Sequence, residues 1–229
     1  MIAANPLPAR GPVARIVHLL ALGCLVLSLA ACAGKGGAKQ ADAPPADPNE
    51  KKIAYGASIA LPPSWQVTSS VGPEVAKASL DSRKAGGERV AILDAGGKPS
   101  ARGLESLIKL FLVNQEGTFM PRDYAEKLQP DEFVALAKDL LAREKAQAKK
   151  NKQPDGLLDL QIIRETINGK LAVSQRMLIA GPDGKPVRLM YWDIYLPNGA
   201  GIAAKTFCDP EAPGAEEEVI TIIRSLRVQ

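Results

Sequence analysis

Hydrophobic and polar positions change period several times along this chain, and each change marks an element. Leu158 to Ile167 is an extended run that ends at Asn168-Gly169, the dipeptide best suited to a two-residue hairpin, and Leu171, Val173, Met177 and Ile179 alternate along the return. Gly181 to Gly184 turns the chain into Val187 to Leu196, and Pro197-Asn198-Gly199 turns it into Gly201 to Phe207, so four antiparallel strands are expected in a row. Upstream, Pro62-Pro63 ends a strand over Ala57 to Leu61, extended structure resumes at Trp65 to Val67, and a strand over Arg89 to Asp94 is expected to stop at Gly96-Gly97. Leu107 to Asn114 reads as a return strand. Leu104, Leu107, Ile108 and Phe111 also fit helical spacing, but the run is short and ends in Asn-Gln-Glu-Gly, which favours the strand.

Two segments carry the helical period. One starts at Pro130, where a missing N–H costs nothing, has Asp131 and Glu132 at the positive end of the dipole, and lines up Phe133, Leu136, Ala137, Leu140 and Leu141. Its end carries Lys145, Lys149, Lys150 and Lys152, which read as a solvated helix terminus more readily than as a phosphate or lipid-head-group patch, since no aromatics interleave them. The other spans Ala215 to Leu226, with Glu216, Glu217 and Glu218 in its first turn and Val219, Ile222, Ile223 and Leu226 on one side. The expected fold class is therefore α+β, an antiparallel meander packed with helices.

The N-terminus follows a different logic. Arg10 and Arg15 precede an apolar run from Ile16 to Leu29, which ends in Leu29-Ala30-Ala31-Cys32. This layout resembles a bacterial lipoprotein signal peptide with its lipobox. The resemblance implies cleavage before Cys32, acylation of the Cys32 thiol and, because Ala33 rather than Asp follows, sorting to the outer membrane. The alternative is an uncleaved anchor, for which the apolar stretch to Ala33 is just long enough, yet an anchor needs neither small residues nor a cysteine at its exit. Beyond Cys32 the chain is rich in Gly, Ala and Pro and poor in large apolar residues, as in a flexible tether with a reach of roughly 20–25 Å. The expected organisation is a signal peptide over 1–31, a lipidated cysteine and linker over 32–50, and one α+β domain over 51–229.

Composition sharpens this picture by subtraction. The single histidine, His18, and Cys24 fall in the signal peptide, and Cys32 is committed to lipid, so Cys208 is left alone and reads as a small buried hydrophobe. With no imidazole in the mature chain, Ser/His/Asp and Cys/His nucleophile pairs and histidine metal sites are excluded. Without Arg10 and Arg15, 27 cations face 25 acids, a balance that argues against nucleic-acid binding. Asp94, Asp159, Glu165 and Asp193 lie in or beside expected strands, but no spacing pairs two of them for acid/base work, so no enzyme activity, cofactor or metal is expected. Asp193 shares a strand face with Tyr191 and Tyr195. Tyr191, Trp192 and Tyr195 gather three of the ten aromatics within five residues. Alternation puts Trp192 on one face and both tyrosines on the other, which makes Tyr191 and Tyr195 the candidate partner contact if they face solvent, and core if a helix covers them.

Leu61-Pro62-Pro63-Ser64-Trp65 after an opening strand, then a hairpin, a helix, a meander and a final helix with Ile-Ile-Arg-Ser-Leu (222–226), resemble the PsbP-like and DcrB-like domains. The resemblance implies an α/β/α sandwich of the kind used by assembly and interaction factors, and it supplies no catalytic residues. The expected protein is a lipid-anchored, periplasm-facing interaction module with an envelope protein partner. The alternative is a solute- or lipid-binding module with a pocket between sheet and helix.

Overall fold

The computed structural model describes residues 48–53, 56–70, 89–114, 117–181, 183–197 and 199–228. The signal peptide, the lipobox with Cys32 and all but the last residues of the linker lie outside them. In chain order the elements are β1 (Glu50–Lys52), β2 (Ala57–Ala60), β3 (Gln66–Ser70), β4 (Arg89–Pro99), β5 (Glu105–Asn114), α1 (Arg122–Lys127), α2 (Pro130–Lys150), β6 (Leu157–Ile167), β7 (Lys170–Ala180), β8 (Pro186–Tyr195), β9 (Ala200–Cys208), α3 (Ala215–Arg224) and β10 (Arg227–Val228). Seven strands form one sheet in the order β3-β4-β5-β9-β8-β7-β6, with every neighbour antiparallel, and β1-β2-β10 form a second, small sheet.

The four-strand meander forms as its pattern requires. Asn168 and Gly169 take φ of 45° and 77°, the left-handed pair that a type I′ turn needs. The Asn168 amide also donates to the carbonyl oxygens of Leu226 (2.7 Å) and Arg224 (3.1 Å), pinning the hairpin to the end of α3. Joining β9 to β5 then merges the meander with the β4–β5 hairpin.

One face of the large sheet is sealed over β5, β8 and β9. Ile108, Leu110, Leu112, Met190, Trp192, Ile194, Ile202 and Ala204 are fully buried there, against Val219, Ile222 and Ile223 of α3 and Ala57 and Ile59 of β2. Each such aliphatic chain removed from water contributes about 1.5–3 kcal/mol. Trp192 donates its indole N–H to Glu165 at 2.9 Å, and Glu165 also pairs with Arg224 at 3.2 Å, so a buried polar tip is satisfied where β6, β8 and α3 meet.

α1 and α2 lie on the opposite face, completing the α/β/α arrangement. Arg164 of β6 donates to the carbonyl oxygens of Glu126 (3.0 Å) and Leu128 (2.9 Å), capping α1. α2 packs along β6 and buries Phe133, Ala137 and Leu140, with Leu136 and Leu141 half-buried beside them. Its first turn is closed by Glu132, which accepts the Gln129 N–H at 2.7 Å.

Two expectations change. Gly96-Gly97 does not end β4, which runs on to Pro99. A Cβ on Gly97 would sit 2.9 Å from the Trp65 ring and one on Gly96 would overlap the Glu105 carboxylate, so these glycines admit neighbours instead of making a turn. β1, β10 and α1 were not expected: two to six residues are too few to show a period.

Candidate functional site

The face under α1 and α2 is covered at only part of its width. Where β5, β8 and β9 meet the 117–121 segment, coverage is complete. Tyr195 is 3% exposed and donates its hydroxyl to the Met120 carbonyl oxygen at 2.8 Å. Asp193 is buried and accepts the Phe119 N–H at 2.5 Å, while Arg89 donates to the Gly117 carbonyl oxygen at 2.9 Å. Burial pushes the Asp193 carboxyl up to about 6, against the opposing pull of the Phe119 N–H and the Arg89 charge. Burial also pushes the Tyr195 phenol well above its ordinary range, with the Asp193 charge adding to the shift.

Further along the same strands the described residues leave the face half-open. Leu107, Phe111, Met177, Leu189, Tyr191 and Phe207 are all half-buried, and they share this face with Asp94, Lys109, Gln175 and Lys205. The register arranges them in rows. Asp94, Lys109, Lys205, Tyr191 and Gln175 are successive cross-strand partners over β4, β5, β9, β8 and β7. A row with Leu107, Phe207, Leu189 and Met177 runs beside it on one side, and one with Phe111, Ala203 and Asp193 on the other. Lys109 pairs with Asp94 at 3.1 Å, and the Lys205 ammonium lies 5.6 Å from the centre of the Tyr191 ring.

The two tyrosines thus part company. Tyr195 is a packing residue under the 117–121 segment, and Tyr191 stands in the half-open band. Asp193, between them, faces backbone and no open space. The lysines and phenylalanines of the band went unseen in the sequence, because the β5–β9 pairing joins segments some ninety residues apart and only the register shows which residues meet.

Other features have structural roles. Arg102 joins three connections at one end of the sheet, pairing with Asp183 at 2.9 Å and Asp209 at 2.8 Å and donating to the Pro186 carbonyl oxygen at 3.1 Å. Burial is the largest single influence on Asp209 and pushes its carboxyl up, yet Ser100, the Glu211 N–H and Arg102 together hold it below the ordinary value. Cys208 is buried, and burial, helped by the Glu216 charge, pushes its thiol up to about 12, far from a reactive thiolate. A depression of about 330 Å³ opens at the start of α3, rimmed by Arg176, Glu211, Glu216 and Glu217, and one of about 530 Å³ flanks the lysine-rich end of α2. The charged rim of the first suits no apolar solute. Among the described residues no three His, Cys, Asp or Glu side chains are placed to hold a metal ion, and no helix is long and apolar enough to cross a membrane.

No family model and no curated protein matches the chain in sequence. Similar solved structures include LpqN, involved in cell envelope biogenesis of Mycobacterium tuberculosis (12% identity over 74% of this chain and 81% of that one, TM-score 0.38). The cyanobacterial PsbP of Synechocystis sp. PCC 6803 is 13% identical over 88% of this chain and 99% of its own, with a TM-score of 0.41. The Saccharomyces cerevisiae Ran-binding protein Mog1p is 11% identical over 79% of this chain and 95% of its own, with a TM-score of 0.37. At these scores the sandwich assignment stands on the chain's own strand order and helix placement.

Proposed function

We propose that this chain is a lipid-anchored protein of the cell envelope, held by acyl chains on Cys32 at the periplasmic face of the outer membrane, whose domain over residues 51–229 acts by non-catalytic contact with an envelope protein. The Leu29 to Cys32 lipobox supports the anchor, and Ala33 in place of Asp supports the outer-membrane address. The observation that carries the contact reading is the asymmetry of the seven-stranded sheet at β5, β9 and β8: there one face is sealed, while the other leaves Leu107, Phe111, Met177, Leu189, Tyr191 and Phe207 together in a half-open band. Contiguous apolar surface with an aromatic centre and charged neighbours is what a protein contact uses. Asp193, the one carboxylate raised strongly among the described residues, is covered and hydrogen-bonded, so it serves the 117–121 segment and offers no acid or base to a substrate.

Tyr191→Ala and Tyr195→Ala separate contact from packing. Tyr191→Ala keeps the melting temperature and loses the partner trapped by cross-linking in cells; Tyr195→Ala removes a buried ring and costs about 3–5 kcal/mol of stability. A large fall in melting temperature for Tyr191→Ala, with the trapped partner retained, overturns the contact reading.

A further inference from the structure

Lys109 and Lys205 stand directly opposite each other on neighbouring antiparallel strands, where side chains of like charge repel. Each is drawn away from the other: Lys109 toward Asp94 on β4, and Lys205 over the Tyr191 ring on β8. Lys205 has no carboxylate partner among the ion pairs of the described residues. A gap with a cation on each side therefore lies at the middle of the half-open band, between the Leu107–Phe207 row and the Phe111–Ala203 row. Asp94 and the Tyr191 ring each hold one of the lysines, yet across the β5–β9 ladder itself an opposite-charge or neutral pair would serve the sheet better.

We infer that this row reads an acid: the occupant of the face is a segment of a protein partner that sets an Asp or Glu carboxylate between Lys109 and Lys205 and lays apolar side chains on the flanking rows. This rests on the contact reading above and names the chemistry of its partner. Charge complementarity selects a protein segment over a lipid surface. Two lysines, offset by Asp94 and by the Glu105 carboxylate beside Gly96 on the same face, leave the band close to neutral overall, where membrane-binding patches gather four or more cations, and the apolar rows on both sides suit alternating apolar chains.

The test places p-benzoyl-phenylalanine at Gln175, next to Tyr191 in the row, in the full chain expressed in cells, with Met177 as the second position if the first lowers the melting temperature. Irradiated adducts are identified by mass spectrometry. The expected adduct is to a protein segment containing Asp or Glu. Its yield falls about tenfold in Lys109→Glu with Lys205→Glu, and it recovers when the trapped carboxylate of the partner is changed to lysine. Lys109→Gln with Lys205→Gln replaces the reversal if that pair melts early. An adduct lost in Tyr191→Ala but undiminished in the lysine variants overturns the acid-reading inference and leaves the contact reading standing. An adduct to phospholipid overturns the inference in favour of a membrane-facing surface. No adduct at either position overturns the contact reading and the inference together.

Discussion

Asp193 is the residue whose surroundings most change its chemistry. Its carboxyl, at about 6 in the folded chain against an ordinary 3.8, takes up a proton more readily folded than unfolded. The stability it contributes is thus fully present below pH 3.8 and is lost as pH rises through 6, a swing on the order of 3 kcal/mol. Asp193→Asn keeps an acceptor for the Phe119 N–H and does not titrate. Its melting temperature relative to wild type should climb between pH 4 and pH 7 by calorimetry, and a difference that stays flat contradicts this account. Gly97 is the second residue with a specific demand. Gly97→Ala drives a methyl to 2.9 Å from the Trp65 ring, itself buried, and should cost about 1–3 kcal/mol in chemical denaturation. Alternation alone placed Trp192 opposite the tyrosines correctly, whereas the need for Gly97 was invisible, because the ring that crowds it arrives from the turn ahead of β3.

Elements were legible where their signals are local. The Asn168-Gly169 turn, the Pro130 start of α2 and the stripe of α3 each lie within a few residues of what they specify. The connections at the far end of the sheet were not, since their organiser is one side chain, Arg102, reaching across to Asp183 and Asp209. Arg102→Ala leaves Asp209 covered without its cation and frees the β4–β5 and β7–β8 turns from each other. Faster amide exchange at residues 100–104 and 183–185, together with a lower melting temperature, is the expected outcome. Unchanged exchange in both turns would make Arg102 dispensable. Asp209 and Asp183 are held below their ordinary values, so their share of stability has the opposite sign from that of Asp193: it is present above pH 3.8 and lost on further acidification.

At the scale of the molecule, the antiparallel α+β class followed from the order of periods, but the seven-strand width did not, because the β5–β9 ladder closes a large stretch of chain and leaves no local trace. The anchor is a claim of this scale too: radiolabelled palmitate should enter the full chain and be lost in Cys32→Ala, and undiminished labelling of that variant would sink it. The small sheet bears on the same question through mechanics. β1 and β10 flank β2, so the first and last strands of the domain lie two strand spacings apart, about 10 Å. Tension arriving from the N-terminal side meets the Leu61 N–H bond to the Asn49 carbonyl oxygen (3.0 Å) and then the three-residue β1–β2 ladder. A load entering there passes through few hydrogen bonds before it reaches the long ladders of the seven-stranded sheet, so β1 would yield first and release a few residues of slack while the Tyr191 face keeps its shape.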